Sequence, residues 1–217
     1  MCDIEQIESR LKQWFPSQAF IKAAKIQAYP ILPEEQALVA NAVSSRQHEF
    51  ASGRWLARQG LQLFGLPDQP INIGRLRNPL WPASVIGTLS HDGELCAVVL
   101  MQKHQHSEAG IGIDLLSLSR KTGKMDELAP MFMADTDELG AMAAFNVAVA
   151  PALLLFSVKE SVIKALSFQL DDFIDMRAIE ICRADKLSVR LFGATVNADI
   201  FAAITANYLV TAAKVSL

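Results

Sequence analysis

Two acids and a small set of bases carry the chemistry that this chain's sequence suggests. Asp114 sits in the run Ile111-Gly112-Ile113-Asp114-Leu115, where every other residue is apolar or glycine. Side chains alternate across a strand, so Asp114 points with Gly112 and Leu116, away from Ile113 and Leu115. A carboxylate among buried strand residues is costly unless it is paired, hydrogen-bonded or on a metal. The plainer alternative is a strand-end acid that caps a turn with Ser117. Glu160 lies in Phe156-Ser157-Val158-Lys159-Glu160-Ser161-Val162-Ile163-Lys164-Ala165-Leu166. Here Val158, Val162, Ala165 and Leu166 make an apolar stripe at helical spacing, which leaves Ser157, Glu160, Ser161 and Lys164 on another side. Glu160 and Lys164 are then neighbours one turn apart, either an ordinary ion pair or a carboxylate and an ammonium serving a ligand.

His91 follows Gly87-Thr88-Leu89-Ser90 and is one of four histidines. It can donate a hydrogen bond to phosphate or simply bond the backbone of a turn. His104 and His106 have no Cys or acidic partner at ligand spacing and read as a solvated loop. The arginines form two groups, Arg46, Arg54 and Arg58 in a helical stretch and Arg75 with Arg77 in a proline-rich loop. On a continuous helix Arg46 and Arg54 lie within about 80° of each other, and their forked donors suit one phosphate. Gly53 beside Arg54 would let a backbone or a nucleotide approach closely, or mark a helix crossing.

These residues need elements to hold them. Residues 33–63 read as mostly helical, with Pro33 at a first position, Glu34 and Glu35 at the positive end of the dipole, and a possible break at Ser44-Ser45. Residues 74–84 read as an ordered loop. Val85 to Ser90 and Leu95 to Met101 form a hairpin about His91-Asp92-Gly93, and Ile111 to Leu115 form a strand. A helix is expected after Pro151 as far as Phe168, then strands at 179–182, 187–191 and 208–217. Mixed helices and antiparallel strands make the class α+β. The polar segment 103–109 is the expected boundary between halves.

With 217 residues, 51% of them hydrophobic and 20% charged, the chain can bury a core for one domain or two small ones. A net charge of −3 offers no global field for nucleic acid or an anionic membrane, so an anion must be held locally. Cys2, Cys96 and Cys182 make no CxxC pair, which argues against a zinc site or a disulfide framework and for a reduced, cytoplasmic compartment. The N-terminal stretch lacks the apolar run of a secretory signal and is expected to remain on the mature protein. The run from Ala141 to Phe156 is shorter than the ~20 residues of a membrane span and reads as core.

Together the motifs resemble those of the 4'-phosphopantetheinyl transferases, in the branch of enterobactin synthase component D and the enzyme that activates surfactin synthetase. The stretches that carry the resemblance are Gly53-Arg54-Trp55-Leu56-Ala57-Arg58, Pro79-Leu80-Trp81-Pro82 leading to Gly87-Thr88-Leu89-Ser90-His91, Gly112-Ile113-Asp114, and FSVKESVIKA at 156–165. The resemblance implies two similar α+β halves related by a pseudo-twofold axis, here 1–105 and 106–217, with coenzyme A and Mg²⁺ in the cleft between them. It implies a monomer that moves phosphopantetheine to a serine of an apo acyl or peptidyl carrier protein, releasing 3',5'-ADP. Asp114 and Glu160 would hold the metal. Arg46, Arg54, His91 and, less strongly, Ser90 would contact coenzyme A, with Lys159 and Lys164 beside the pyrophosphate and either Arg75 or Arg77 adding a basic contact. Glu160 would take the serine proton, while Lys164 and His91 stabilise developing charge.

The sequence departs from the family at Leu116, where many relatives have a second acid. A water could fill that coordination position, or the chain could be a homologue that binds coenzyme A or a carrier without catalysis. A metal-dependent hydrolase built on His91, Asp92, Asp114 and Glu160 is a third reading, which leaves the arginines and lysines without a task. Met125, Met131, Phe132 and Met133 would make either a carrier-docking surface or core.

Overall fold

The computed structural model describes residues 1–103, 109–121, 124–183 and 187–216. The chain divides into two compact units, Met1–Ser107 and Glu108–Leu217. In the first, the order is α1 (Asp3–Trp14), β1 (Phe20–Lys25), α2 (Pro33–Val39), α3 (Ser44–Leu63), β2 (Val85–Asp92) and β3 (Leu95–Gln102). The stretch expected to be mostly helical from 33 to 63 is two helices, parted at residues 40–43 beside the serine pair. The three strands pair antiparallel in the order β1-β3-β2, with His91 opposite Cys96 on β3. α3 lies on this sheet through Leu56, Ala57 and Leu61. The close approach that sequence places at Gly53 occurs at Gly60, where a Cβ would stand 2.5 Å from Phe20 and 2.8 Å from Leu100; at Gly53 it would meet Leu89 at an ordinary 3.4 Å.

A buried carboxylate ties this unit together. Glu35 is fully buried on α2, rather than simply facing the helix dipole in solvent. It accepts from the backbone of Leu32 at 3.1 Å and Ile71 at 2.9 Å, and it pairs with Arg58 of α3. One acid thus closes its own helix and fixes both a second helix and the chain that follows it.

The second unit runs β4 (Ala109–Ser117), α4 (Leu118–Lys121), α5 (Met125–Leu128), α6 (Asp137–Ala141), α7 (Pro151–Leu166), β5 (Ile179–Arg183), β6 (Leu187–Leu191), β7 (Ala194–Ile204) and β8 (Tyr208–Ser216). Its strands lie in the order β4-β8-β7-β6-β5, all neighbours antiparallel. Met125 and Phe132 join the core under α7, whereas Met131 stays 72% exposed, so the methionine-rich stretch is mostly core. The device built on Glu35 recurs here. Glu138 of α6 accepts from the backbone of Ala134 at 2.6 Å and Ile181 at 2.8 Å, and from Lys159 Nζ of α7 at 2.9 Å. The helices and strands of the two units make the α+β class.

α7 lies almost directly on β4. A Cβ on Gly110 would stand 1.9 Å from the Ala165 carbonyl, and one on Gly112 would stand 1.8 Å from the Ser161 carbonyl. Two residues along a strand advance about 6.8 Å and four along a helix about 6.0 Å. The pairs Gly110 with Ala165, Gly112 with Ser161 and Asp114 with Ser157 therefore stay in step. This changes the environment expected for α7: Ser157 and Ser161 are fully buried against the sheet, and of the expected polar side only Glu160 and Lys164 reach partial exposure. Among the described residues no helix is long and apolar enough to cross a membrane, and the three cysteines are free thiols.

Candidate functional site

Each unit holds its own cluster of candidate residues. In the second unit Asp114 is 5% exposed and spans two partners on α7. Ser157 Oγ donates to Asp114 Oδ2 at 2.9 Å, and Lys164 Nζ donates to Oδ1 at 2.7 Å. Thr211, the cross-strand partner of Asp114 on β8, supports Ser157 from below: its hydroxyl donates to the Ser157 carbonyl at 2.8 Å. The Ser157 and Thr211 hydroxyl oxygens are also 2.9 Å apart. This chain fixes the carboxylate's rotamer from one side. Asp114 is therefore an inter-element residue rather than merely a strand-end cap.

Glu160, one turn before Lys164, brings Oε2 to 3.9 Å from the same ammonium. Two carboxylates thus converge on one cation, which marks where a divalent ion of the same charge sign could be held. Mg²⁺ takes oxygen ligands, commonly one or two carboxylates plus waters and substrate phosphates, so this donor set fits it. Leu116 adds no ligand: it is 2% exposed and part of the apolar core. Among the described residues no group of three or more His, Cys, Asp or Glu side chains is placed to hold a metal ion.

Lys159 does not join this cluster. Its side chain is fully buried, and its ammonium donates to Glu138, to the Phe132 carbonyl at 2.8 Å and to the Met176 carbonyl at 3.3 Å. Burial lowers its pKa, and the hydrogen bond and charge of Glu138 oppose that shift. The expectation of a Lys159 contact with pyrophosphate is corrected accordingly: five residues from Lys164, about 140° around the helix, the side chain serves the core.

In the first unit a pocket of ≈ 120 Å³ is lined by Arg46, Arg54, Arg77 and His91 among apolar walls that include Phe50 and Leu89. Arg46, Glu49, Phe50, Gly53 and Arg54 all come from one face of α3. Leu89 and His91 share a face of β2, so Ser90, 4% exposed, points to the opposite face and is not part of the lining. Arg54 is 3% exposed. It donates through Nε to the Ile71 carbonyl at 2.9 Å and through Nη2 to the Asn72 carbonyl at 3.4 Å, over the Phe50 ring at 4.3 Å. Burial lowers its pKa to about 10, with Glu35 opposing the shift, so it remains cationic at neutral pH. Its Nε and Nη2 donors are thus spent on the backbone of the loop at 71–72, whereas Arg46, Arg77 and His91 line the same pocket.

The loop that carries Arg75 and Arg77 is a closed turn. The Arg77 N–H donates to Gly74 O at 2.9 Å, the Gly74 N–H donates to Asn78 O at 2.8 Å, and Ile73 bridges Pro79. Arg77 has φ of 62°, in the left-handed region that usually selects glycine or asparagine. Of the two loop arginines only Arg77 lines the pocket. An arginine in this region carries about 1–2 kcal/mol of backbone strain. Arg77→Gly is expected to raise stability by about 1 kcal/mol while weakening anion binding about tenfold. Urea melts and a titration with 3',5'-ADP check both halves.

Glu49, also in the lining, is a residue that sequence reasoning missed. Its Oε2 lies 3.1 Å from Arg46 Nη1 and 3.7 Å from His91 Nδ1. Its spacing three residues after Arg46 was the available signal.

Comparison with known proteins gives a consistent picture. The profile of the 4'-phosphopantetheinyl transferase N-terminal domain matches residues 34–101, and that of the 4'-phosphopantetheinyl transferase superfamily matches residues 110–213. The chain is 37% identical over 164 residues to 4'-phosphopantetheinyl transferase Svp of Streptomyces mobaraensis, covering 73% of this chain and 64% of that protein. It is 31% identical over 139 residues to 4'-phosphopantetheinyl transferase PptT of Mycobacterium tuberculosis, covering 62% and 57%. With enterobactin synthase component D of Escherichia coli K12 it shares 34% identity over 146 residues, 66% of each. The chain thus spans about three fifths of the length of the first two relatives.

Proposed function

Because this chain belongs to the 4'-phosphopantetheinyl transferase superfamily, we propose that it transfers the phosphopantetheine arm of coenzyme A to a serine of an apo acyl or peptidyl carrier protein, releasing 3',5'-ADP. The observation that carries the reading is the convergence of Asp114 and Glu160 on Lys164 Nζ, at 2.7 and 3.9 Å. That cluster suits a pyrophosphate with its counter-ion. The pocket lined by Arg46, Arg77 and His91 suits a phosphate of the nucleotide part. The two glutamates that staple a short helix to a long one support reading the units as two copies of one α+β plan.

In this reaction the serine oxygen bonds to the β-phosphorus of coenzyme A, and the bond from that phosphorus to the bridging oxygen breaks. Asp114 and Glu160 would hold Mg²⁺, which when bound polarises the pyrophosphate and neutralises charge on it. Glu160 is 32% exposed at its side chain, so it can accept the serine proton while the more buried Asp114 stays fixed by Ser157. Lys164 turns from Asp114 toward the pyrophosphate and stabilises charge on the leaving oxygen. We place the reaction in the cytoplasm and in a monomer.

Intact-mass spectrometry of several apo carrier proteins, incubated with this chain, coenzyme A and Mg²⁺, tests the reading. Gain of one phosphopantetheine on a carrier serine is the expected result and would show that Leu116 is tolerated. No gain on any carrier, with coenzyme A still bound, would overturn the transferase reading in favour of a binding protein.

A further inference from the structure

We propose that Glu49 is a positioning residue that makes phosphate binding in the first unit's pocket draw a proton onto His91, so that the pocket favours a dianionic phosphate monoester. The inference rests on the reading of that pocket as a phosphate site. It starts from an apparent misfit, a carboxylate among the cations Arg46, Arg54 and Arg77.

Arg46 Nη1 lies 2.9 Å from His91 Nε2. A guanidinium has donors and no acceptor, so Nε2 must present its lone pair and the ring hydrogen must sit on Nδ1. Nδ1 is the nitrogen 3.7 Å from Glu49 Oε2, a distance for charge interaction rather than a hydrogen bond. In this resting arrangement His91 has no hydrogen on Nε2 to offer an anion, and Arg46 Nη1 is shared between His91 and Glu49 at 3.1 Å. When a phosphate takes Arg46, His91 Nε2 loses its donor. A proton from solvent on Nε2 then turns His91 into a second donor to the phosphate, and Glu49 beside Nδ1 stabilises the imidazolium against the surrounding guanidinium groups. The charged groups that share the pocket with the ring include Arg46, Glu49 and Arg54 from α3 and Arg77 from the 73–79 turn, with Cys96 across the pair on β3. Without Glu49 the arginines would oppose that protonation.

The test is calorimetric titration of the full chain with 3',5'-ADP at pH 7.5, without metal, in buffers of differing ionisation enthalpy. The slope of binding enthalpy against buffer enthalpy counts protons taken up. Because Nε2 of His91 rests unprotonated against Arg46, the wild-type slope is expected to be about half a proton or more. The phosphate monoester, with its second pKa near 6, is already a dianion. Glu49→Gln is expected to cut the slope below about 0.2 and weaken binding about tenfold, and Glu49→Asp to restore part of both. His91→Gln should abolish the slope. Unchanged uptake in Glu49→Gln or in His91→Gln, or a wild-type slope near zero with binding intact, would overturn the role of Glu49. Absence of any 3',5'-ADP binding by the wild type would instead overturn the phosphate-site reading beneath it.

Discussion

Glu160→Gln is expected to lower turnover on a carrier protein by about a thousandfold while leaving coenzyme A affinity within about threefold. The amide keeps the shape and the helix but removes the proposed proton acceptor and a proposed charged ligand for the counter-ion. Stability should barely move. Glu160 meets Lys164 only at 3.9 Å, whereas Lys164 keeps its 2.7 Å contact with Asp114. A partly exposed pair one turn apart contributes only about 0.2–0.5 kcal/mol. Steady-state kinetics with a discontinuous mass assay, set beside a coenzyme A titration and a thermal melt, separate the three quantities. Turnover within twofold of wild type would remove both roles from Glu160.

The opposite signature is expected at Lys159, the neighbouring residue in sequence. Lys159→Met should cost about 3–5 kcal/mol of stability, because it strands the buried Glu138 carboxylate without its counter-charge. Replacing both partners by apolar residues would not recover the loss. Glu138 also accepts from the backbone of Ala134 and Ile181, and those N–H groups would be orphaned in turn. The urea midpoint should fall with an unchanged slope, and the activity that survives per folded molecule should stay near wild type. A large fall in turnover with an unaltered midpoint would instead return Lys159 to the substrate.

These two residues show how far the sequence reads. Asp114 was legible because a lone acid in an apolar strand needs an explanation, and the helix of Glu160 was legible from its apolar stripe. The division of labour between Lys159 and Lys164 was not. Both are lysines of one helix, and what separates them is Glu138, 21 residues upstream of Lys159 in a segment of short turns without a strong period. Glu35 misled for a similar reason: an acid in a first turn is explained by the dipole alone, and only the tertiary contacts with Arg58 and Ile71 reveal it as interior. β1 went unread because its burial pattern, in which every third residue is exposed, does not alternate. That Arg77 rather than Arg75 lines the pocket follows from the fold of the turn at 74–79, which composition alone does not show.

The seating of α7 on β4 has a genetic consequence. Any side chain at Gly112 would meet the backbone of Ser161 and lift the helix, parting Asp114 from Ser157 and Lys164 without altering either cluster's composition. In a saturation screen scored on carrier modification, Gly110 and Gly112 would rank with the acids themselves. Variation at this site should therefore enter through the partly exposed residues around Glu160, since the strand that presents Asp114 has no room to drift.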